Sequence, residues 1–205
     1  MKLLTLALIA ASCATPPPPI SLDGSWPSSP GEYERVTQAW TRHDRVTQGL
    51  SAGVETVMEV SATFKSPQWR AAHARFAAKA RKLPKPEADA LLQVQKEEAE
   101  LGYEVQILFS TYDRRANDLQ KNLRSTWRVS LADDQGNEVR PTTIRRDRRP
   151  RSEIRAEYEF LGDFHVPYVA VFPKSIDLLR PDAKKFTLRI ASSRGGVELV
   201  WENGR

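Results

Sequence analysis

Cysteine and histidine are scarce in this chain of 205 residues, which contains one cysteine and three histidines. A single cysteine excludes an internal disulfide framework. The sequence has no HExxH or CxxC pattern, no calcium-binding loop, no P-loop and no GxGxxG pattern. We therefore expect no metal site, no cofactor and no recognisable catalytic set.

A long apolar run is also missing, because the apolar stretch at the N-terminus is too short to cross a bilayer. It extends from residue 3 to residue 11 with one threonine inside it, whereas a spanning helix needs about 20 residues. Lys2 precedes the stretch, and the small residues 10–12 lead directly to Cys13. This order is typical of a secretory signal, and it predicts a signal peptide over residues 1–12.

The same thirteen residues resemble the lipobox of bacterial lipoproteins. The resemblance implies that the chain is cut before Cys13, that the Cys13 sulfur is lipidated and that its new amino group is acylated. It also implies a cell-envelope location, and Ala14 in place of Asp after the cysteine points to the outer membrane, facing the periplasm. The alternative is an ordinary cleaved signal with an incidental cysteine.

Proline is concentrated just after this cysteine. Residues 14–31 contain six prolines among serines and glycines, and proline disfavours both helix and sheet interiors. We therefore predict that residues 13–31 are a lipidated cysteine with a tether, and that residues 32–205 form a single domain. Ile20, Leu22 and Trp26 are apolar residues that could instead dock onto the domain.

Charge is nearly balanced outside one segment. The chain has 31 Lys and Arg residues against 26 Asp and Glu residues. Seven arginines lie in residues 140–155 beside only Asp147 and Glu153. Nucleic-acid binders usually carry a broad basic face, so this distribution argues against a nucleic-acid partner.

Two helices are predicted as a hairpin over residues 67–101. Ser66 is a suitable N-cap for the first helix and Pro67 suits its first position. Trp69, His73 and Phe76 then recur on one helical face. A second apolar pattern follows "LPKP" and ends at Gly102.

Alternating apolar residues predict strands on both sides of the hairpin. They occur in "VETVMEVSATF", "YEVQILF", "IRAEYEF", "VPYVAVF", "KFTLRIA" and "GVELVWE", and in a pair of strands around the turn at residues 133–137. "ERVTQAWTRHDRVTQ" is a weaker strand pattern with a helix as its competitor. The predicted fold class is α+β, mainly β: an antiparallel β-sandwich with an inserted helical hairpin. The β half vaguely resembles the immunoglobulin-like sandwiches of bacterial lipoproteins.

One candidate binding surface is the arginine-rich segment, which we expect to form an irregular loop around Pro150. Arginine makes bidentate contacts with phosphate and carboxylate groups. The segment therefore predicts a docking surface for an anionic envelope polymer, formed by Arg145, Arg146, Arg148, Arg149 and Arg151. The alternative is that these arginines only prevent a sheet edge from pairing with another chain.

Three further hypotheses remain. The leading one is a non-catalytic, lipid-anchored structural or protein-binding component of the envelope, with the membrane and another envelope protein as partners. A hydrolase would use Asp163 and His165, which share a face of an extended chain and could act as a general base; no serine or cysteine stands in a nucleophile-elbow pattern. The hairpin could also be the partner surface if Trp69, Phe76, Leu91 and Leu92 were exposed, although such an apolar patch is unusual.

Overall fold

Two antiparallel sheets form the body of the protein in the computed structural model, which describes residues 19–50 and 53–204. The first sheet contains, in spatial order, β1 (Thr41–Leu50), β2 (Gly53–Phe64), β3 (Tyr103–Thr111), β7 (Val166–Phe172) and β6 (Thr143–Arg146). The second contains β5 (Glu138–Val139), β4 (Arg128–Ala132), β8 (Lys185–Ser192) and β9 (Gly195–Glu202). The helices are α1 (Tyr33–Ala39), α2 (Pro67–Ala80), α3 (Lys85–Leu101) and α4 (Arg151–Glu157), and 3-10 turns cover Arg114–Ala116 and Leu119–Arg124.

The hydrophobic core lies between the sheets. Met58 and Val60 of β2 are fully buried, as the period-two pattern predicts. The Phe64 ring centroid lies 4.6 Å from that of Phe186 in the second sheet. The sheets also meet where β1 runs beside β9, because Arg42 Nε donates to the Val200 carbonyl at 2.8 Å. The predicted class, an α+β and mainly β sandwich with an inserted helical hairpin, is confirmed.

The helical hairpin has the predicted ends. The Ser66 hydroxyl accepts a hydrogen bond from the Trp69 backbone N–H at 3.1 Å, and Gly102 ends α3. Trp69 and Ala72 belong to the hydrophobic core, so α2 packs onto the domain. In contrast, α3 has no buried residue and lies against α2. The four side chains considered for a partner surface are therefore a buried tryptophan and three half-buried residues, Phe76, Leu91 and Leu92.

Two segment predictions need correction. "IRAEYEF" was predicted as a strand, which is wrong, because residues 151–157 form α4. Ile154 and Tyr158 are both fully buried, and a spacing of four residues fits one helical face as well as one strand face. The segment over residues 34–48 was predicted as a strand with a helix as the alternative, and it contains both. Its first part belongs to α1, which ends at Ala39, and its second part belongs to β1, which begins at Thr41.

The N-terminal segment is part of the fold from residue 19 onward. Leu22 is fully buried and Ile20 forms a parallel bridge with Asn203. Arg75 Nη1 also donates to the Pro30 carbonyl at 3.0 Å. Residues 19–31 of the predicted tether therefore dock onto the domain, because their apolar side chains are buried there. The predicted signal peptide and Cys13 lie outside the described residues.

No helix within residues 19–50 and 53–204 is both long enough and apolar enough to cross a bilayer.

Candidate functional site

The arginine-rich segment folds into defined structure instead of the expected irregular loop. It forms edge strand β6, a short turn and α4. Within it, Arg149 is held by two carboxylates: its Nη2 lies 2.7 Å from Asp147 Oδ2, and its Nη1 lies 2.7 Å from Glu157 Oε1. Burial alone would raise the pKa of Asp147, but the hydrogen bonds from Arg149 lower it. Arg149 is thus a structural cation.

The Arg151 side chain forms its hydrogen bonds with backbone carbonyl groups. Its guanidinium donates to the carbonyls of His165 and Gly162, both at 2.9 Å, and to that of Asp163 at 3.3 Å. These bonds fix the loop before β7 without neutralising the guanidinium charge. Arg155 of the same helix pairs with the Asp163 carboxylate at 2.8 Å.

Arg145 and Arg148 are exposed, and neither side chain makes an ion pair or hydrogen bond with any residue that the structure describes. Arg145 belongs to β6, whose position at the edge of the first sheet matches the interpretation that arginine prevents edge pairing. Of the five predicted docking arginines, Arg149 and Arg151 therefore make internal contacts, whereas Arg145 and Arg148 are exposed.

Two of the five arginines, Arg146 and Arg151, instead line a single cavity of about 780 Å³, within the usual size range of small-molecule sites. We call this cavity the arginine cleft. Its lining comes from β2, the end of β3 and the segment after it, β6, α4, the loop before β7 and the start of β7: Thr56, Glu59, Ser110, Thr111, Tyr112, Arg114, Asn117, Arg146, Arg151, Asp163, Phe164, His165 and Val166.

The third arginine of the cleft, Arg114, was missed by the sequence analysis. It lies outside the arginine-rich segment, and only the pairing of β3 with β7 brings it near that segment. Its guanidinium carbon lies 5.8 Å from the ring centroid of Phe164, within the range of a cation–π contact. Arg146 Nη2 approaches the Asn117 carbonyl at 3.5 Å.

His165 lies in the wall of the cleft and is 4% exposed. Its Nδ1 lies 2.8 Å from the Gly162 backbone nitrogen. Because a backbone N–H can only donate, Nδ1 must accept, and the proton of the neutral ring is on Nε2. This buried Nε2 has no hydrogen-bond partner among the described residues, and the nearest carboxylate oxygen, Glu59 Oε1, is 3.9 Å away.

The Asp163–His165 pair expected of a hydrolase is not formed. Asp163 faces Arg155, and Nδ1 of His165 is occupied by Gly162. Burial lowers the pKa of His165, although Glu59 opposes that shift. The ring is therefore a neutral donor at neutral pH.

The electrostatic balance of the cleft is positive. Arg114, Arg146 and Arg151 face two carboxylates, and one of these, on Asp163, is already paired with Arg155. No cluster of three metal-ligating side chains occurs in residues 19–50 and 53–204. Arginine guanidinium groups are suited to holding an anion, because each can donate two parallel hydrogen bonds to it.

Comparison of the chain with protein-family models, with curated proteins and with solved structures gave no match.

Proposed function

We propose that this chain is a lipid-anchored, non-catalytic protein of the cell envelope whose domain binds an anionic envelope component in the arginine cleft. The observation that carries the proposal is the convergence of Arg114, Arg146 and Arg151 on one cavity that His165 also lines. Each arginine comes from a different element, so the positive charge is assembled by the fold.

The donors of the cleft are suited to binding and not only to stability. Arg114 makes no ion pair within the described part of the chain, so its charge is available to a ligand. These features favour an anion over a neutral ligand.

The anchor is supported by sequence alone. The lipobox resemblance implies that Cys13 carries acyl chains in the outer membrane, and two or more chains hold far more firmly than one. Only residues 14–18 separate Cys13 from the docked N-terminal segment. The domain would thus sit close to the membrane, on its periplasmic side.

The anchor is tested by changing Cys13 to serine. We expect wild-type protein to incorporate labelled palmitate and to fractionate with the outer membrane, whereas Cys13→Ser incorporates no label and loses membrane association. A Ser12→Ala variant is the matched control and should behave as wild type. Unchanged membrane association of Cys13→Ser would contradict the proposed anchor.

The binding function is tested with two pairs of substitutions that remove the same charge. The cleft pair is Arg114→Ser with Arg146→Ser, and the matched control is Arg145→Ser with Arg148→Ser, which lies outside the cleft. Binding of the full chain to purified peptidoglycan and to lipopolysaccharide is measured from about 0.05 M to about 0.5 M salt. We expect the cleft pair to weaken binding by about tenfold or more, since charged hydrogen bonds contribute about 1.5–3 kcal/mol each.

The control pair should stay within about twofold of wild type, and wild-type binding should weaken as salt increases. An equal loss in both pairs would assign binding to general positive charge and contradict the cleft. Failure of the wild-type chain to bind either probe would remove the proposed function.

A further inference from the structure

Two large aromatic side chains are exposed at the mouth of the arginine cleft. Tyr112 is 72% exposed and Phe164 is 76% exposed, and both line the cavity. Single exposed apolar side chains are normal on a protein surface. Two exposed rings on one cleft, one of them beside Arg114, form a surface that a ligand with an apolar face would cover.

We infer that the anionic ligand of the cleft is an acidic saccharide, a sugar chain that bears carboxylate or phosphate groups. This inference rests on the proposed function, because it names the chemical class of the ligand in the same site. A pyranose ring has an apolar face of C–H groups that can lie on an aromatic ring. Its acidic group would meet the guanidinium groups of Arg114 and Arg146.

The walls of the cleft match the hydroxyl groups of a sugar. The Ser110 hydroxyl can donate or accept, and the Glu59 carboxylate accepts. The Thr111 hydroxyl already donates to the Asp113 carbonyl at 2.8 Å, so it can only accept from a ligand. An acyl chain would need a continuous apolar wall to offset the dehydration of these groups. These polar groups, placed beside the two exposed aromatic rings, therefore favour a sugar over a lipid tail.

The position of the cleft argues against the headgroups of the anchoring membrane as its ligand. The N-terminal segment joins the domain where Ile20 pairs with Asn203, just after β9. Trp201 of β9 lies with its ring 6.2 Å from Phe64, and Phe64 lies 5.9 Å from Tyr103 at the start of β3. The anchored N-terminus thus enters at the Tyr103 end of the first sheet.

The arginine cleft lies at the other end of the same strand. Ser110, Thr111 and Tyr112 line it at the end of β3. Since β3 has nine residues, at about 3.4 Å each its two ends are about 27 Å apart. A cleft on the far side from the tether is placed to meet a polymer beyond the membrane surface.

The test measures binding of defined probes to the full chain in a detergent that lacks a sugar headgroup. The acidic probes are a trimer of galacturonic acid and a phosphorylated trisaccharide, which separate the two sources of charge. Maltotriose is the neutral sugar, polyglutamate is the anion without sugar, and vesicles containing phosphatidylglycerol are the lipid source. The aromatic pair is Tyr112→Ala with Phe164→Ala, and its matched control is Leu101→Ala with Leu123→Ala, two exposed residues outside the cleft.

We expect at least one acidic saccharide to bind about tenfold more tightly than maltotriose, and the aromatic pair to lose about tenfold of that affinity. Weak binding of polyglutamate should be unchanged in the aromatic pair, and the leucine control should match wild type. If polyglutamate or the vesicles bind as tightly as the acidic saccharides, or if the aromatic pair keeps full affinity, the saccharide inference is overturned while the anion site stands. If the wild-type chain binds no anionic probe, the proposed function fails as well.

Discussion

At the scale of single residues, His43 of β1 and His165 in the loop before β7 both have pKa values below the ordinary value for histidine. His43 Nδ1 lies 2.6 Å from the Ser61 hydroxyl, and His165 Nδ1 accepts from the Gly162 backbone. Burial lowers the pKa of both rings below the ordinary value of 6.5, although the Glu59 charge opposes the shift in each. Both residues therefore link the stability of the fold to pH.

The free energy of unfolding should decrease as the pH falls below about 6.5. In that range the unfolded chain takes up protons at His43 and His165 before the native chain does, so protonation favours unfolding. The contribution of the two histidines is complete above about pH 6.5 and is lost toward their lower native pKa values. Urea unfolding at about pH 7.5, 6 and 5 measures the effect.

A double variant, His43→Asn with His165→Asn, is the control for this pH dependence. Asparagine keeps an acceptor near the position of Nδ1 but does not titrate. We expect a smaller decrease in stability between pH 7 and about pH 5, because the buried carboxylates have lowered pKa values and protonate at lower pH. An unchanged decrease would show that other groups are responsible.

Sequence reasoning identified His165 but assigned it the wrong neighbour. The prediction placed Asp163 and His165 on one face because it treated the segment as extended. The structure has a turn there, with His165 N–H donating to the Gly162 carbonyl at 3.1 Å. The residue type therefore identified His165 as a candidate. Its hydrogen-bond partners depend on a local turn, which the alternation of side chains does not predict.

At the scale of elements, a buried arginine joins both helices of the hairpin to the first sheet. Arg70 of α2 is 1% exposed. Its guanidinium donates at 3.1 Å to Gln95 and to Glu98, both on α3, and at 3.1 Å to Glu104 on β3. Since α3 has no buried residue of its own, this network is a main connection between α3 and the domain.

We predict that Arg70→Met lowers the free energy of unfolding by about 3 kcal/mol, because it removes the cation that joins three acceptors and leaves the largely buried Glu104 carboxylate with Lys65 as its one remaining pair among the described residues. Arg70→Lys should also be destabilising, since an ammonium group cannot contact three acceptors as a guanidinium fork does. Urea unfolding compares both variants with Lys85→Met, which removes the exposed Lys85–Asp89 pair and should cost less than about 0.5 kcal/mol. Equal stability of Arg70→Met and wild type would contradict the role of the network.

The hairpin and α4 mark the limits of prediction for elements. The hairpin was predicted with its ends because Ser66, Pro67 and Gly102 are strong local signals. In α4, the spacing of Ile154 and Tyr158 satisfies both periodicities over a short segment, and Pro150 before it was assigned to a loop. The ends of the hairpin could therefore be predicted from local capping residues. The helical form of residues 151–157 could not be predicted, because it depends on burial in the folded domain.

At the scale of the whole molecule, the arginine cleft exists because of the strand order. Arg114, Arg146 and Arg151 lie on three elements, and they meet because β7 pairs with β3 on one side and with β6 on the other. A sequence shows the strands but not which of them are neighbours. The sequence therefore predicted the sandwich and the basic segment, whereas the cleft became visible only with the sheet topology.

The docked N-terminal segment gives a prediction for the limits of the folded domain. The sequence placed its start at residue 32, but Leu22 is fully buried in the core. We expect removal of residues 1–18 to change the free energy of unfolding by less than about 0.5 kcal/mol, because the buried side chains of Ile20 and Leu22 remain in the shortened chain. Removal of residues 1–31 should lower it by about 3 kcal/mol or more, since Ile20 and Leu22 are lost together.

The Leu22→Ala substitution tests whether the loss of stability comes from the buried leucine side chain or from the shorter chain. Leu22→Ala in the full chain should lower the free energy of unfolding by about 2–5 kcal/mol, as expected for a large-to-small change in a core, while Ser21→Ala on the exposed side of the same segment should have little effect. Urea unfolding of the wild-type chain, the two truncated chains and the two substituted chains provides the measurement. If the shorter chain that begins at residue 32 is as stable as the full chain, the segment is a tether after all, and the domain would hang farther from the membrane than the docked structure implies.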